Sequence, residues 1–442
     1  MTIQDQQPHL KKGVGLIGVV TFGAGTAIGV SIFSVLAPAA KIAGSGLLVT
    51  VAVAAIPMVL FAILYSFLSS ALPKSGASYE WPRRFIHPSV GFLVAWLRIF
   101  SNVGAIVVLA MVLVSYVSAV FPLPLKPTMA AIITAVFLLN YLGVSVAARV
   151  QTLLMLALLA AFGAFVWLGA PKSHLATIGP LLAHGWLPVL TAVPLMISLF
   201  LGIEAAAEIG EEVNDAKRTI PRGIALAIVL TAVVYIAISA TALGLIGPER
   251  LAASKAPLLE AAKGAMGAWA APVILGAAIV SILKTMNATA LVFSRAIFAM
   301  GRAGALPSAL GRVSARFGTP HMALLVCYAA AMLGLLMPQS LTFLLLAVNI
   351  PTLLKYMSSS LSAVRIAQYH PDIYSQATIK PGRGMVIALG IAGIVVGLAI
   401  LIAGLGADWR PYALIGAWAV IGLLYWLVDA RRRERQHIST PA

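Results

Sequence analysis

Residues Gly23 to Phe33 read GAGTAIGVSIF and lie inside an apolar run, 14–40, long enough to cross a bilayer as one helix. Glycine weakens a helix by about 1 kcal/mol relative to alanine, and three of them, at 23, 25 and 29, predict that this helix breaks near mid-membrane. Interrupted backbone persists at that depth only where protein or a wet cavity satisfies its N–H and C=O groups. The break therefore predicts a polar site within the bilayer, and the remaining chain reads as the shell of that site.

Composition supports this frame. The chain has 442 residues, of which 61% are hydrophobic and only 10% charged, and a mean hydropathy of +1.00. Such a chain is expected to be an all-α polytopic membrane protein. The formal net charge of +17 does not point to nucleic acid, because Lys and Arg are spread through short loops instead of gathering on one face. A single cysteine, Cys327, leaves no intramolecular disulfide and no cysteine metal site. The seven histidines lie near segment ends or in loops without an HExxH motif, so neither a metal nor another cofactor is expected.

Scanning for long apolar runs predicts twelve spans: 14–40, 46–70, 90–119, 126–144, 150–170, 187–210, 223–247, 269–296, 321–338, 340–363, 384–405 and 411–429. With the N-terminus inside, twenty Lys and Arg fall in cytoplasmic loops and seven in external ones, which predicts both termini in the cytoplasm. MTIQDQQPHLKK then reads as a cytoplasmic tail, not a cleaved signal. The loop 71–89, ALPKSGASYEWPRRFIHPS, is amphipathic and is expected either to lie along the membrane surface or to form an ordinary aromatic belt. The external stretch 248–268 predicts a longer loop with some helix.

A second break is expected in PLMISLFLGIEAAAEIGEEVNDAKRTIP, residues 194–221, where Ser198 and Gly202 bracket Phe200 and Glu204 follows. Breaks in the first and sixth spans, each opening a five-helix unit, are the signature of inverted-repeat secondary transporters. The domains follow: a tail 1–13, repeats 14–170 and 187–363, appended helices 384–429, and a basic tail 430–442. A half-helix starting near Ser31 aims free N–H groups and a partial positive charge at the gap, and one ending near Ile28 offers carbonyls. Together they suit a zwitterionic amino acid.

Lys284 lies roughly 18 Å from one end of its helix and 16 Å from the other, where a lysine costs about 2.5–3.5 kcal/mol and must have partners. One reading pairs it with Glu204; the other sets its ammonium against the carbonyls near Ala27 and Ile28. Burial disfavours a charged ammonium, so the second reading allows reversible protonation. Glu204 pairs with Lys284, lines the inward path, or suits the dipole at the start of an inner half-helix. Glu208, Glu211 and Glu212 are expected to contact arginines at a cytoplasmic gate. Lys355 either snorkels or is a second path residue, and snorkelling is the expectation.

IGVSIF at 28–33, SLFLGIE with EEVNDAKRTIPRGI, PKSGASYEW leading to GFLVAW, and SRAIFAMGRAGALP before GTP at 318–320 together resemble an amino acid–polyamine–organocation (APC) permease over most of residues 13–370. The resemblance implies the LeuT-type fold, with helices 1–5 and 6–10 as inverted repeats and helices 1 and 6 broken. It also implies substrate contacts at Thr26, Ala27, Gly29, Val30, Ser31, Ser198 and Gly202, with Phe200 closing over the substrate. Val30 departs from the small residue that the family pattern carries there and adds bulk at the carboxylate turn. Sodium-coupled relatives hold sodium between helices 1 and 8, so Lys284 would replace it. Some members carry a proton-linked lysine in helix 5 after an N…RVQ stretch; Asn140 and Arg149-Val150-Gln151 match, but the position near Leu158 is apolar.

The expectation is a plasma-membrane transporter of small amino acids, neutral ones favoured, working by alternating access. It is sodium-independent, and either proton-coupled or an exchanger, with Lys284 and Glu204 as coupling residues. A polyamine or cationic amino acid substrate is the alternative. An enzyme would need convergent catalytic groups and a receptor a soluble output domain, and the sequence offers neither. In some relatives a heavy subunit attaches through an external cysteine after helix 3; FPLPLKP, residues 121–127, has none, so no disulfide-linked partner is expected.

Overall fold

The computed structural model describes residues 10–29, 31–118, 122–183, 185–254, 256–336, 341–405 and 409–438. Without water to bond to, apolar segments satisfy their backbone groups internally, and helices result. In chain order they are α1 (Leu16–Ala27), α2 (Ser31–Ala43), α3 (Leu47–Ala71), α4 (Ala77–Phe85), α5 (Pro88–Ser118), α6 (Leu125–Tyr141), α7 (Val144–Gly169), α8 (Leu175–Ile178) and α9 (Trp186–Ile197). There follow α10 (Ala216–Ala253), α11 (Pro257–Met266), α12 (Ala270–Arg302), α13 (His321–Gly334), α14 (Leu341–Tyr369), α15 (Pro371–Gln376), α16 (Arg383–Leu405) and α17 (Arg410–Ile438). Among the described residues, eight helical stretches are long and apolar enough to cross a membrane; α6 and α13 are shorter apolar helices.

Large apolar side chains such as Leu153, Leu156, Trp167, Leu226, Val229 and Val233 stand exposed on the outside of the bundle. In water so much apolar surface would drive association; in lipid it is the expected face. The chain is a multi-pass membrane protein. Its polar residues are turned inward, with Asn140, Gln151, Glu204, Lys284, Asn287, Arg295 and Lys355 all buried. At the centre, α1 packs against α7, α10, α12 and the segment 203–208.

Three expectations from the sequence are corrected. The stretch after α9 does not resume as an α-helix: Ser198–Gly202 turns, and 3-10 winding covers Ile203–Glu208 and Gly210–Glu212. Other elements cap that segment, as Gly76 N–H donates to Glu208 O at 2.9 Å and Ser78 N–H to Glu208 Oε2 at 3.2 Å, which compensates for the poorer 3-10 bonding. The aromatic residues of the loop 71–89 are not laid on a surface. Tyr79, Trp81 and Phe85 are buried, and Trp81 Nε1 donates to Leu72 O at 3.1 Å. Finally, the helix expected within 248–268 is there but covers most of the stretch, leaving little loop: α10 runs on past a kink at Gly247 (φ 75°), and α11 follows.

Candidate functional site at the paired helix breaks

The first helix stops at Ala27 and resumes at Ser31. Ile28 N–H closes the last helical bond to Ala24 O at 2.7 Å, and Gly29 N–H turns back to Ala27 O at 2.7 Å. Val30 lies outside the described residues. The carbonyls at this C-terminal end carry the negative pole of the helix and want a cation or donors. The protein supplies them itself. Tyr235 OH donates to Ala27 O at 2.9 Å, Ser281 Oγ donates to Ile28 O at 3.1 Å, and Lys284 Nζ donates to both Gly25 O and Ile28 O. Lys284, on α12, is fully buried.

The second break abuts the first. Gly202 has φ 99°, and a Cβ there would stand 2.5 Å from the Thr26 methyl. A Cβ on Gly23 would likewise stand 2.6 Å from Ile203 O. Only glycine allows backbones this close. Thr26 spends its hydroxyl on its own helix, donating to Phe22 O at 2.7 Å, and so turns its methyl to Gly202. Phe200 is buried with its ring edge-on to Tyr235, centroids 5.9 Å apart. Gly29 lies beside Thr285, whose Oγ1 would be 3.1 Å from an added Cβ. Ser198 opens the second turn and Ser31 opens α2. Thr26, Ala27, Gly29, Phe200, Gly202 and Lys284 thus gather around one junction.

Glu204 is placed differently from the expected Lys284 pairing. Its carboxylate accepts from Lys355 Nζ at Oε1 and from Tyr356 OH at Oε2, the latter at 2.7 Å. Lys355 does not snorkel: it is 3% exposed, with Nζ 4.4 Å from the Tyr356 ring centroid and 5.8 Å from that of Tyr65. A carboxylate held in the interior attracts the ammonium more strongly than water at the end of a stem would. Tyr356 OH also accepts from Gly202 N–H at 3.3 Å, tying this pair to the break.

The remaining acids of the segment find bases on other helices. Arg98 donates to Glu208 Oε1 and to Ser78 Oγ, both at 2.9 Å. Arg295 grips Glu212 through Nε at 2.6 Å and Nη2 at 2.7 Å, and Arg302 grips Glu211 at 2.7 and 2.8 Å. Burial pushes the Glu211 carboxyl up, but the Arg302 guanidinium and Lys74 ammonium more than offset this and hold it below the usual carboxylate range. Gly13 N–H donates to Glu212 O at 3.0 Å and Asn214 N–H to Val14 O at 2.9 Å, so the entry to α1 is laced to the same segment.

Beside Lys284, a chain of amides joins α6, α7 and α12. Asn140 Nδ2 donates to Asn287 Oδ1 at 3.0 Å, and Asn287 Nδ2 to Gln151 Oε1 at 3.1 Å. Leu158 is buried and apolar, leaving Lys284 as the lysine next to the α1 break. Among the described residues no group of three His, Cys, Asp or Glu side chains is arranged to hold a metal ion.

Tyr235 and Tyr356, absent from the residues expected at this junction, belong to it, and Lys355 lies inside it instead of at the membrane edge. A tyrosine deep in an apolar span needs a partner for its hydroxyl, which was the available signal. Known proteins place the site in context. A family model described as amino acid permease matches residues 14–424. An uncharacterized transporter of Mycobacterium tuberculosis is 35% identical over 331 residues, 73% of each chain. A branched-chain amino acid permease of Bacillus subtilis is 25% identical over 451 residues, covering 97% of this chain and 95% of that one. The human Asc-type amino acid transporter 1 is 27% identical over 361 residues, covering 76% and 68%. On this match the chain belongs to the amino acid permease family, within the APC transporters.

Proposed function

We propose that this protein is a secondary active transporter of small neutral amino acids, working by alternating access around the junction of the two breaks. The observation that carries the reading is Lys284. Its ammonium occupies the negative pole of α1 through Gly25 O and Ile28 O, the kind of site where a broken helix holds a coupling cation. A cation that cannot leave makes transport indifferent to sodium, and reversible loss of its proton would free the carbonyls and loosen α1 from α12. The substrate carboxylate meets the N-terminal end of α2 at Ser31, where helix N–H groups point at the gap. Thr26, Ala27, Gly29, Ser198 and Gly202 line its backbone, and Phe200 covers it. The relatives, branched-chain amino acid permeases of Bacillus subtilis and Lactococcus lactis among them, favour a neutral side chain.

In this reading the helices serve as twelve spans, five plus five inverted and two appended, in the bacterial inner membrane with both termini in the cytoplasm. The ion pairs of Glu208, Glu211 and Glu212 then close the cytoplasmic side and must part for release. The test is uptake of labelled leucine and alanine by liposomes, with and without sodium, across a pH series. Wild type is expected to work equally without sodium. Lys284→Ala is expected to lose at least about tenfold in rate and to flatten the pH profile. Uptake that keeps its rate and pH profile in Lys284→Ala would reduce the lysine to a structural role and overturn the coupling reading.

A further inference from the structure

Lys355 is the second lysine in the interior, and transport around Lys284 makes no use of it. Its ammonium sits in a recognisable chemical setting: one carboxylate oxygen of Glu204, the face of Tyr356 at 4.4 Å and the face of Tyr65 at 5.8 Å. A carboxylate flanked by aromatic rings is how proteins bind organic amines. The rings are held in place from outside. Phe61 stacks on Tyr356 with centroids 4.7 Å apart, Tyr65 meets Trp81 edge-on at 5.3 Å, and Tyr65 OH shares a hydrogen bond with Ser359 Oγ at 3.0 Å. The cage also touches the passage, because Tyr356 OH bonds both Glu204 Oε2 and the N–H of Gly202. Glu204 is the acid of its segment nearest the break.

Stability alone is a poor reason for such a pair, since well-packed apolar residues often serve as well or better than a buried ion pair. Its effect on selectivity is stronger. An unpaired Glu204 two residues from the break would attract a substrate's side-chain amine. We propose that Lys355 is the specificity-determining residue of the passage: its ammonium fills an amine-binding cage made by Glu204, Tyr65 and Tyr356, and by filling it denies that cage to cationic amino acids and diamines. The inference rests on the transport reading above, in that the excluded amines are would-be substrates. The cage itself does not depend on it.

Lys355→Ala leaves the cage standing with a gap the size of n-propylamine. In purified, monodisperse protein, n-propylamine and putrescine are expected to raise the melting temperature of Lys355→Ala and to leave wild type unmoved. Arginine is expected to compete with labelled leucine on the order of tenfold better against the variant than against wild type. Adding Glu204→Gln removes the carboxylate and is expected to abolish both responses. Should Lys355→Ala aggregate, Lys355→Ser leaves a gap the size of ethylamine, its Oγ taking the place of Cγ, and recovery of a monodisperse peak on adding ethylamine is the expected result. Amines that act equally on wild type and variant, a double variant that still responds, or a folded Lys355 variant that ignores amines would each overturn the proposal. Because the melting shift needs no substrate, a wild type that binds no neutral amino acid would refute the transport reading separately, and with it the selectivity role of the cage.

Discussion

Gly202 is the residue on which the junction depends most directly. Its φ of 99° lies where side chains are strained, at about 1–2 kcal/mol for an L-residue, and the space a Cβ would need is taken by the Thr26 methyl at 2.5 Å. Both penalties act on Gly202→Ala. The variant is expected to melt lower and to bind neutral substrate weakly, as read by thermal unfolding and by labelled-leucine binding. Combining it with Thr26→Ser removes the methyl but not the backbone strain, so about half of the lost stability is expected to return; full recovery would mean that the φ carries no cost. Gly29 is less constrained, since its nearest neighbour, Thr285 Oγ1, would be 3.1 Å from a Cβ and is able to rotate.

The element that distinguishes this molecule from a bundle of plain helices is the 3-10 segment running from Ile203 to Glu212. It places Glu204, Glu208, Glu211 and Glu212 against bases from α14, α5 and α12, so one segment reports on three helices at once. The Arg295–Glu212 pair is fully buried and bidentate. Removing one partner strands a charge in the interior, and Arg295→Met is expected to cost about 3–5 kcal/mol, whereas Arg295→Met with Glu212→Leu strands nothing and recovers most of it. The check is the order of melting temperatures: single variant lowest, double close to wild type. A double variant no better than the single would mean that the arginine stabilises by packing and not by charge.

At the scale of the whole molecule, the proposed topology puts Arg218 and Lys263 on opposite sides of the membrane. Both side chains are exposed, and the one cysteine, Cys327, is buried, so wild type is expected to be silent toward a membrane-impermeant maleimide. In intact cells Lys263→Cys is expected to label and Arg218→Cys to label only after permeabilisation. The reverse pattern would invert the orientation inferred from the Lys and Arg bias. The same experiment at residues flanking α6 and α13 tests whether these shorter apolar helices complete the crossing.

The sequence by itself determined what depends on local cost. A membrane helix rich in glycine, a lysine far from both ends of its span and a lone cysteine each have a physical consequence that can be stated without knowing their neighbours. The helical membrane class, the existence of the breaks and the need of Lys284 for partners were therefore legible from residues 23–33, 198–204 and 284. Tertiary structure decided which partner each group takes. Lys284 and Lys355 offer the same ammonium, and nothing local says that one meets carbonyls 256 and 259 residues away while the other meets Glu204, 151 residues away. The 3-10 winding after Gly202 was equally hidden. Its residues, IEAAAE, would propagate a helix well enough, and the tighter winding stands because Gly76, Ser78, Tyr356 and Lys355, from distant elements, bond the groups that an α-helix would have bonded for itself or left to water.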